Sequence, residues 1–164
     1  MTAILPGSTI GILGGGQLGR MLSLEARRMG YAVCILDPTP RCPASQVADM
    51  HLCASLDDPQ ALRELTTLAQ VITYETEHVS RAALQHCETF SVLRPSRQVL
   101  SIIQDRLEQK SFLTAHGIPQ ARYVAIDDLA SLEAAVHRDR GKPHDFPPPT
   151  PPGIRVRTTA VRLS

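Results

Sequence analysis

A chain of 164 residues with 43% hydrophobic residues carries enough apolar material for the core of one ordinary domain, or of one domain and part of a second. Its net charge of +1 gives no global attraction to nucleic acid or to an anionic membrane surface. No apolar run approaches a membrane span, and the N-terminus MTAILPGSTIGIL lacks the basic n-region and cleavage-like site of a signal peptide.

In chain order, TIGIL (9–13) is β-branched and apolar and stops at glycines, which predicts a buried parallel strand. QLGRMLSLEARRMG follows as a helix. Leu18, Met21, Leu22, Leu24 and Ala26 are expected to form its apolar face, with Gly30 ending it. YAVCILD is the second strand, PTPRCPASQVADM a loop, and HLCA a short strand. DDPQALRELTTLA opens with a capping Asp and a Pro and carries a helical pattern. QVITYE is the next strand and SRAALQHC the next helix. This alternation calls for a parallel sheet covered on both faces. Residues 95–137 then give two helical stretches, the second closed by Gly117 and Pro119, followed by a strand, ARYVAI, and a capped helix, DDLASLEAAVHR. From residue 138 the character changes. Six of the thirteen prolines fall between 143 and 152, a density that neither a helix nor an interior strand tolerates, so disorder is expected there. Of the four cysteines, Cys34, Cys42, Cys53 and Cys87, none forms a C-x-x-C pair and three lie in or beside apolar runs. That pattern fits buried thiols in a reducing, cytoplasmic compartment.

Two features carry chemistry. Gly14-x-Gly16-x-x-Gly19 sits between the first strand and the first helix. Its first glycine suits a tight turn, its second a close backbone approach, and its third the packing of helix on strand. The helix start offers free N–H groups to an anion. A phosphate-bearing ligand, simple packing, and NAD with Asp37 on its ribose all remain open on this turn alone. The second feature is VITYETEHVS, where Glu75 and Glu77 are expected on one side of an extended chain. At the carboxyl edge of a parallel sheet these acids would suit sugar hydroxyls or an amine and would repel a pyrophosphate; a solvated acidic loop is the competing reading.

Three motifs, GGGQLGRM, ILDP…PASQVAD and VITYETEHV, occur together in the order and spacing of the N-terminal domain of the 5-(carboxyamino)imidazole ribonucleotide synthase family, and this part of the chain resembles that family. A fourth, IIQDRLEQKSFLTAHGIP, is similar to the start of the family's ATP-grasp domain. The resemblance covers residues 8 to about 137 and implies an α/β architecture. A Rossmann-like preATP-grasp domain would span 1–94, the start of an ATP-grasp domain 95–137, and a proline-rich tail, disordered or translated out of frame, 138–164. It implies a step of purine biosynthesis in which ATP phosphorylates bicarbonate and the amine of 5-aminoimidazole ribonucleotide takes up the carboxyl group. Magnesium would neutralise the ATP phosphates.

Under the resemblance, Gly16, Gln17, Leu18 and Glu75 match ribonucleotide-binding positions, Arg106 matches an ATP-contacting arginine, and Lys110 matches the DRxxxK pattern. No catalytic or metal-binding residue is assigned. Thr76 and His78 stand where the family usually has Phe and Asn. The family's ATP-contacting lysine, its glycine-rich loop and its magnesium carboxylates have no counterpart in these 164 residues, so the chain reads as an inactive fragment. Its expected partners are the ribonucleotide and bicarbonate, with a homodimer possible and neither nucleic acid nor membrane involved. The alternatives are a dehydrogenase fragment, a non-enzymatic module for a phosphorylated ligand or a partner, and a related glycinamide ribonucleotide transformylase. The last typically has Glu where Gln17 stands.

Overall fold

The computed structural model describes residues 3–126, 128–139 and 160–163. The chain divides into two compact units, residues 1–101 and 102–164.

The first unit is built on a five-stranded sheet of order β3-β2-β1-β4-β5, from β1 (Thr9–Leu13), β2 (Ala32–Leu36), β3 (Met50–Leu52), β4 (Val71–Tyr74) and β5 (Val92–Leu93). Every pairing is parallel. Both faces of such a sheet must be covered, and the alternation along the strands feeds two cores. Cys34 and Leu36 of β2, Leu13 of β1 and Ile72 of β4 join Leu62 and Leu65 of α2 (Pro59–Leu68) and Leu84 and Cys87 of α3 (Arg81–Phe90) on one face. Ile12, Val33 and Ile35 join Ala26 of α1 (Gln17–Arg28) and Cys42 and Ala44 on the other. Leu100, from α4 (Arg97–Ile103), is buried in the first of these cores, so this unit extends beyond residue 94.

The predicted caps at Asp58 and Gly30 are present, and Ser80 is a further one. Asp58 accepts from Gln60 N and Ala61 N with Pro59 at the start of α2, Ser80 accepts from Ala83 N before α3, and Gly30, at φ +86, follows the last residues of α1. The two-residue β5 was not expected from the sequence, because SVL is too short to show a period.

The expected apolar face of α1 is corrected by the structure. Its buried residues are Gly19, Ser23 and Ala26, while Leu18, Met21, Leu22 and Leu24 are exposed, Leu18 at 59%. The helix lies so close to the sheet that its inner stripe admits only small side chains. A Cβ on Gly19 would lie 2.6 Å from Gly14 O, and the Ser23 hydroxyl donates to Gly19 O at 2.7 Å.

The second unit takes in α5 (Arg106–Ala115), β6 (Arg122–Ala125), α6 (Leu129–Asp139) and β7 (Ala160–Leu163). Asp105 caps α5 by accepting from Leu107 N and Glu108 N, and Asp128 and Ser131 cap one another's backbone at the start of α6. β7 pairs antiparallel with β6, Arg122 facing Leu163 and Ala125 facing Ala160. The expected disordered tail therefore departs from the structure at 160–163, where four residues free of proline form a strand. Residues 138 and 139 belong to α6, and 140–159 and 164 lie outside the described residues.

Candidate functional site

The register of the sheet builds the site. Leu13 of β1 pairs with Leu36 of β2 and with Tyr74 of β4, so the three strands end flush. The next residues, Gly14, Asp37 and Glu75, leave the sheet side by side, at the carboxyl edge where the strand order reverses. In open α/β sheets ligands bind in this crevice.

Gly14 turns the chain at φ +100, a conformation that side chains bearing a Cβ resist. Gly14 N donates to Leu36 O at 2.9 Å, and Gly15 O accepts from Ala44 N at 2.9 Å. Gly15 N donates to Asp37 Oδ2 at 2.7 Å, and Gly16 N donates to Glu75 Oε1 at 3.0 Å. Two N–H groups that a phosphate would use are thus held by carboxylates of the chain itself. Both acids lie at the positive end of the α1 dipole, where negative charge is stabilised. Of the four predicted residues the structure joins Gly16 to Glu75, and Gln17 and Leu18 follow Gly16 at the exposed start of α1.

Asp37 takes a different place from the one an NAD reading gives it. Its second oxygen, Oδ1, accepts from Thr39 N at 2.8 Å, so both oxygens are engaged within the chain. The expected alignment of Glu75 and Glu77 also fails. β4 ends at Tyr74 and the chain turns at once. Glu75 turns to Gly16, whereas Glu77 is exposed with His78 Nε2 3.8 Å from its Oε1. Thr76 Oγ1 accepts from His78 N at 3.2 Å, which shapes this turn.

Gly15 and Cys42 were missed in the sequence. A Cβ on Gly15 would collide with Cys42 Sγ and lie 2.9 Å from Asp37 Cβ. The signal was the middle one of three consecutive glycines, a position the fingerprint spacing leaves free. Cys42, Cys34 and Cys87 are buried and Cys53 is exposed. Burial pushes the Cys34 thiol up to about 11, with the Glu64 carboxylate adding to the effect, and burial likewise pushes Cys87 up to about 11.

Arg106 and Lys110 belong to the second unit. The Arg106 guanidinium donates to Gln109 Oε1. Lys110 Nζ stands 5.8 Å from the centre of the Tyr123 ring, a cation–π distance. The Tyr123 hydroxyl is lowered from its ordinary range by hydrogen bonds with Thr114 and Ser111. Among the described residues no cluster of three or more His, Cys, Asp or Glu could hold a metal, and no helix is long and apolar enough to cross a membrane.

A parallel sheet of order 3-2-1-4-5, with a glycine turn and a carboxylate meeting at its switch point, places the chain in the class of doubly wound α/β proteins. Residues 7–104 match the ribonucleotide synthetase preATP-grasp domain, and the chain belongs to that family. It is 47% identical over 135 residues to N5-carboxyaminoimidazole ribonucleotide synthase of Brucella melitensis, covering 82% of this chain and 37% of the relative. It is 36% identical over 137 residues to the Bacillus subtilis enzyme of the same name, covering 84% and 36%. Among solved structures, an ADP complex of N5-carboxyaminoimidazole ribonucleotide synthetase superposes with a TM-score of 0.78 at 41% identity, covering 84% of this chain and 37% of that one. The Aspergillus clavatus synthase in complex with ADP and 5-aminoimidazole ribonucleotide gives 0.71 at 34% identity, covering 82% and 36%. The chain thus spans just over a third of the length of these relatives.

Proposed function

We propose that this chain carries the ribonucleotide-binding portion of an N5-carboxyaminoimidazole ribonucleotide synthase of purine biosynthesis. The observation that carries the reading is the Glu75 carboxylate at the switch point. Its Oε1 is fixed on Gly16 N, so Oε2 is the oxygen that turns to a ligand. A fixed carboxylate oxygen accepts from a ribose hydroxyl or an amine and repels a phosphate. The exposed start of α1 at Gln17 and Leu18 supplies the neighbouring contact surface. The likeness to a synthase solved with ADP and 5-aminoimidazole ribonucleotide supports that choice of ligand.

In the full reaction ATP would activate bicarbonate, with magnesium neutralising charge on the phosphates. We assign Arg106 to ATP on the family pattern alone, and we give magnesium and bicarbonate no residue. A cytoplasmic location and a homodimeric state belong to the same reading.

Calorimetric titration with 5-aminoimidazole ribonucleotide tests it. The 164-residue chain is expected to bind, and Glu75→Gln to bind at least about tenfold more weakly, as expected when an ionised hydrogen-bond acceptor becomes neutral. Bicarbonate-dependent ADP release is not expected from these residues alone. Equal affinity of wild type and Glu75→Gln would overturn the assignment.

A further inference from the structure

The glycines at 14, 15 and 16 carry no side chains that could fix their own peptide planes, so the planes must be held from outside. The peptide joining Gly14 to Gly15 is held by Asp37, whose Oδ2 accepts from Gly15 N at 2.7 Å. The next peptide joins Gly15 to Gly16. Its oxygen accepts from Ala44 N at 2.9 Å and its N–H donates to Glu75 Oε1 at 3.0 Å. Because a peptide is planar and trans, C=O and N–H of this unit point in opposite directions. Fixing the oxygen on Ala44 therefore aims the N–H at Glu75.

The loop that supplies Ala44 is organised from Asp37 as well. Asp37 Oδ1 accepts from Thr39 N at 2.8 Å, Cys42 N donates to Thr39 O at 3.2 Å, and His51 Nε2 lies 3.1 Å from Asp37 O. Cys42 Sγ fills the space beside Gly15. One carboxylate thus anchors the glycine turn directly and the loop behind it.

We infer that Asp37 is the positioning residue for Glu75, acting through two successive peptide planes of the glycine turn. Its meaning for ligand binding rests on the function proposed above. Asp37→Asn is the discriminating change. The side chain keeps its shape, but its Nδ2 is a donor that must face either Gly15 N or Thr39 N, and one of the two bonds is lost.

The test is NMR on the 15N,13C-labelled 164-residue chain, paired with calorimetric titration of 5-aminoimidazole ribonucleotide. In wild type, through-hydrogen-bond couplings are expected from Gly15 N to the Asp37 carboxylate and from Gly16 N to the Glu75 carboxylate. In Asp37→Asn, the Gly16 amide and the Glu75 side-chain carboxyl signals should shift although residue 37 touches neither, and affinity should fall at least tenfold in protein that remains folded. An unmoved Gly16 amide and unchanged affinity, with only a lower Tm, would show a merely structural role and overturn the inference. So would the absence of the Gly15–Asp37 coupling in wild type, a measurement independent of how well the variant folds. If wild type fails to bind the ribonucleotide, the proposed function falls. The response of Gly16 and Glu75 to Asp37→Asn then still decides the positioning claim.

Discussion

Gly14→Ala offers a severe test of the site, because two costs meet at one position and a second glycine separates them. Gly14 and Gly7 have similar backbones, at φ +100 and +93. A Cβ at Gly7 meets nothing within 4 Å, whereas one at Gly14 would lie 2.6 Å from Glu75 Oε1 and 2.8 Å from its Cγ. Holding an alanine at positive φ costs roughly 1–3 kcal/mol. Displacing Glu75 from Gly16 N forfeits a charged hydrogen bond, about 1.5–3 kcal/mol. Gly7→Ala should therefore lose only the backbone share, and Gly14→Ala should lose about 1.5–3 kcal/mol more. For a unit of this size, each kcal/mol lowers Tm by roughly 4–8 °C. Urea denaturation followed by circular dichroism measures both variants against wild type. In a Glu75→Ala background the Gly14→Ala cost should drop to that of Gly7→Ala, since the clashing oxygen is gone. Equal losses for the two single variants, or an undiminished loss in the Glu75→Ala background, would refute the reasoning.

The remaining predictions address α1 and the buried thiols. Met21→Gln should change stability by less than about 0.5 kcal/mol because Met21 is exposed. Ser23→Leu should destabilise by roughly 1–3 kcal/mol, because Ser23 is fully buried on the helix's inner stripe and overpacking costs about that much; denaturation midpoints check both. Stability should also fall as pH rises from about 9 to about 11. The folded Cys34 and Cys87 thiols, pushed up from 9.0 to about 11, keep their protons in that window while the unfolded chain releases them. The stabilisation is complete below about 9 and lost above about 11. Urea midpoints across this range should show a shallower decline in Cys87→Ala than in wild type.

The sequence made the sheet legible wherever an element carried its own period or punctuation. TIGIL, YAVCILD and QVITYE are apolar runs that end in glycine or acid, and Asp58 caps α2 and Gly30 follows α1 in their expected places. It misled where the decisive quantity was a distance between elements. The leucines of α1 look like a core face by composition, but the helix axis sits too near Gly14 for anything larger than Gly, Ser or Ala to point inward. Period-two reasoning placed Glu77 beside Glu75, yet it assumed an extended chain past Tyr74, where the strand has already ended. The proposed site was nameable from the sequence as a set of residues, Gly16, Gln17, Leu18 and Glu75. Its wiring was not, because the partners of Gly15 and Gly16 lie 22 and 59 residues away.

That wiring also separates this turn from the dinucleotide turns it resembles in sequence. A G-x-G-x-x-G turn binds pyrophosphate when its N–H groups stand free at the helix start, and its partner acid reads a ribose when that acid is unengaged. Here Gly15 N and Gly16 N are held by Asp37 and Glu75, and Asp37 spends its second oxygen on Thr39. A phosphate placed at Gly15 and Gly16 would have to displace two carboxylates and then sit beside them. A ribose hydroxyl or an amine needs neither displacement, since it can donate to Glu75 Oε2 while Oε1 stays on Gly16. The glycine spacing is common to both kinds of turn; the choice between ligands follows from which side chains reach the glycine N–H groups first.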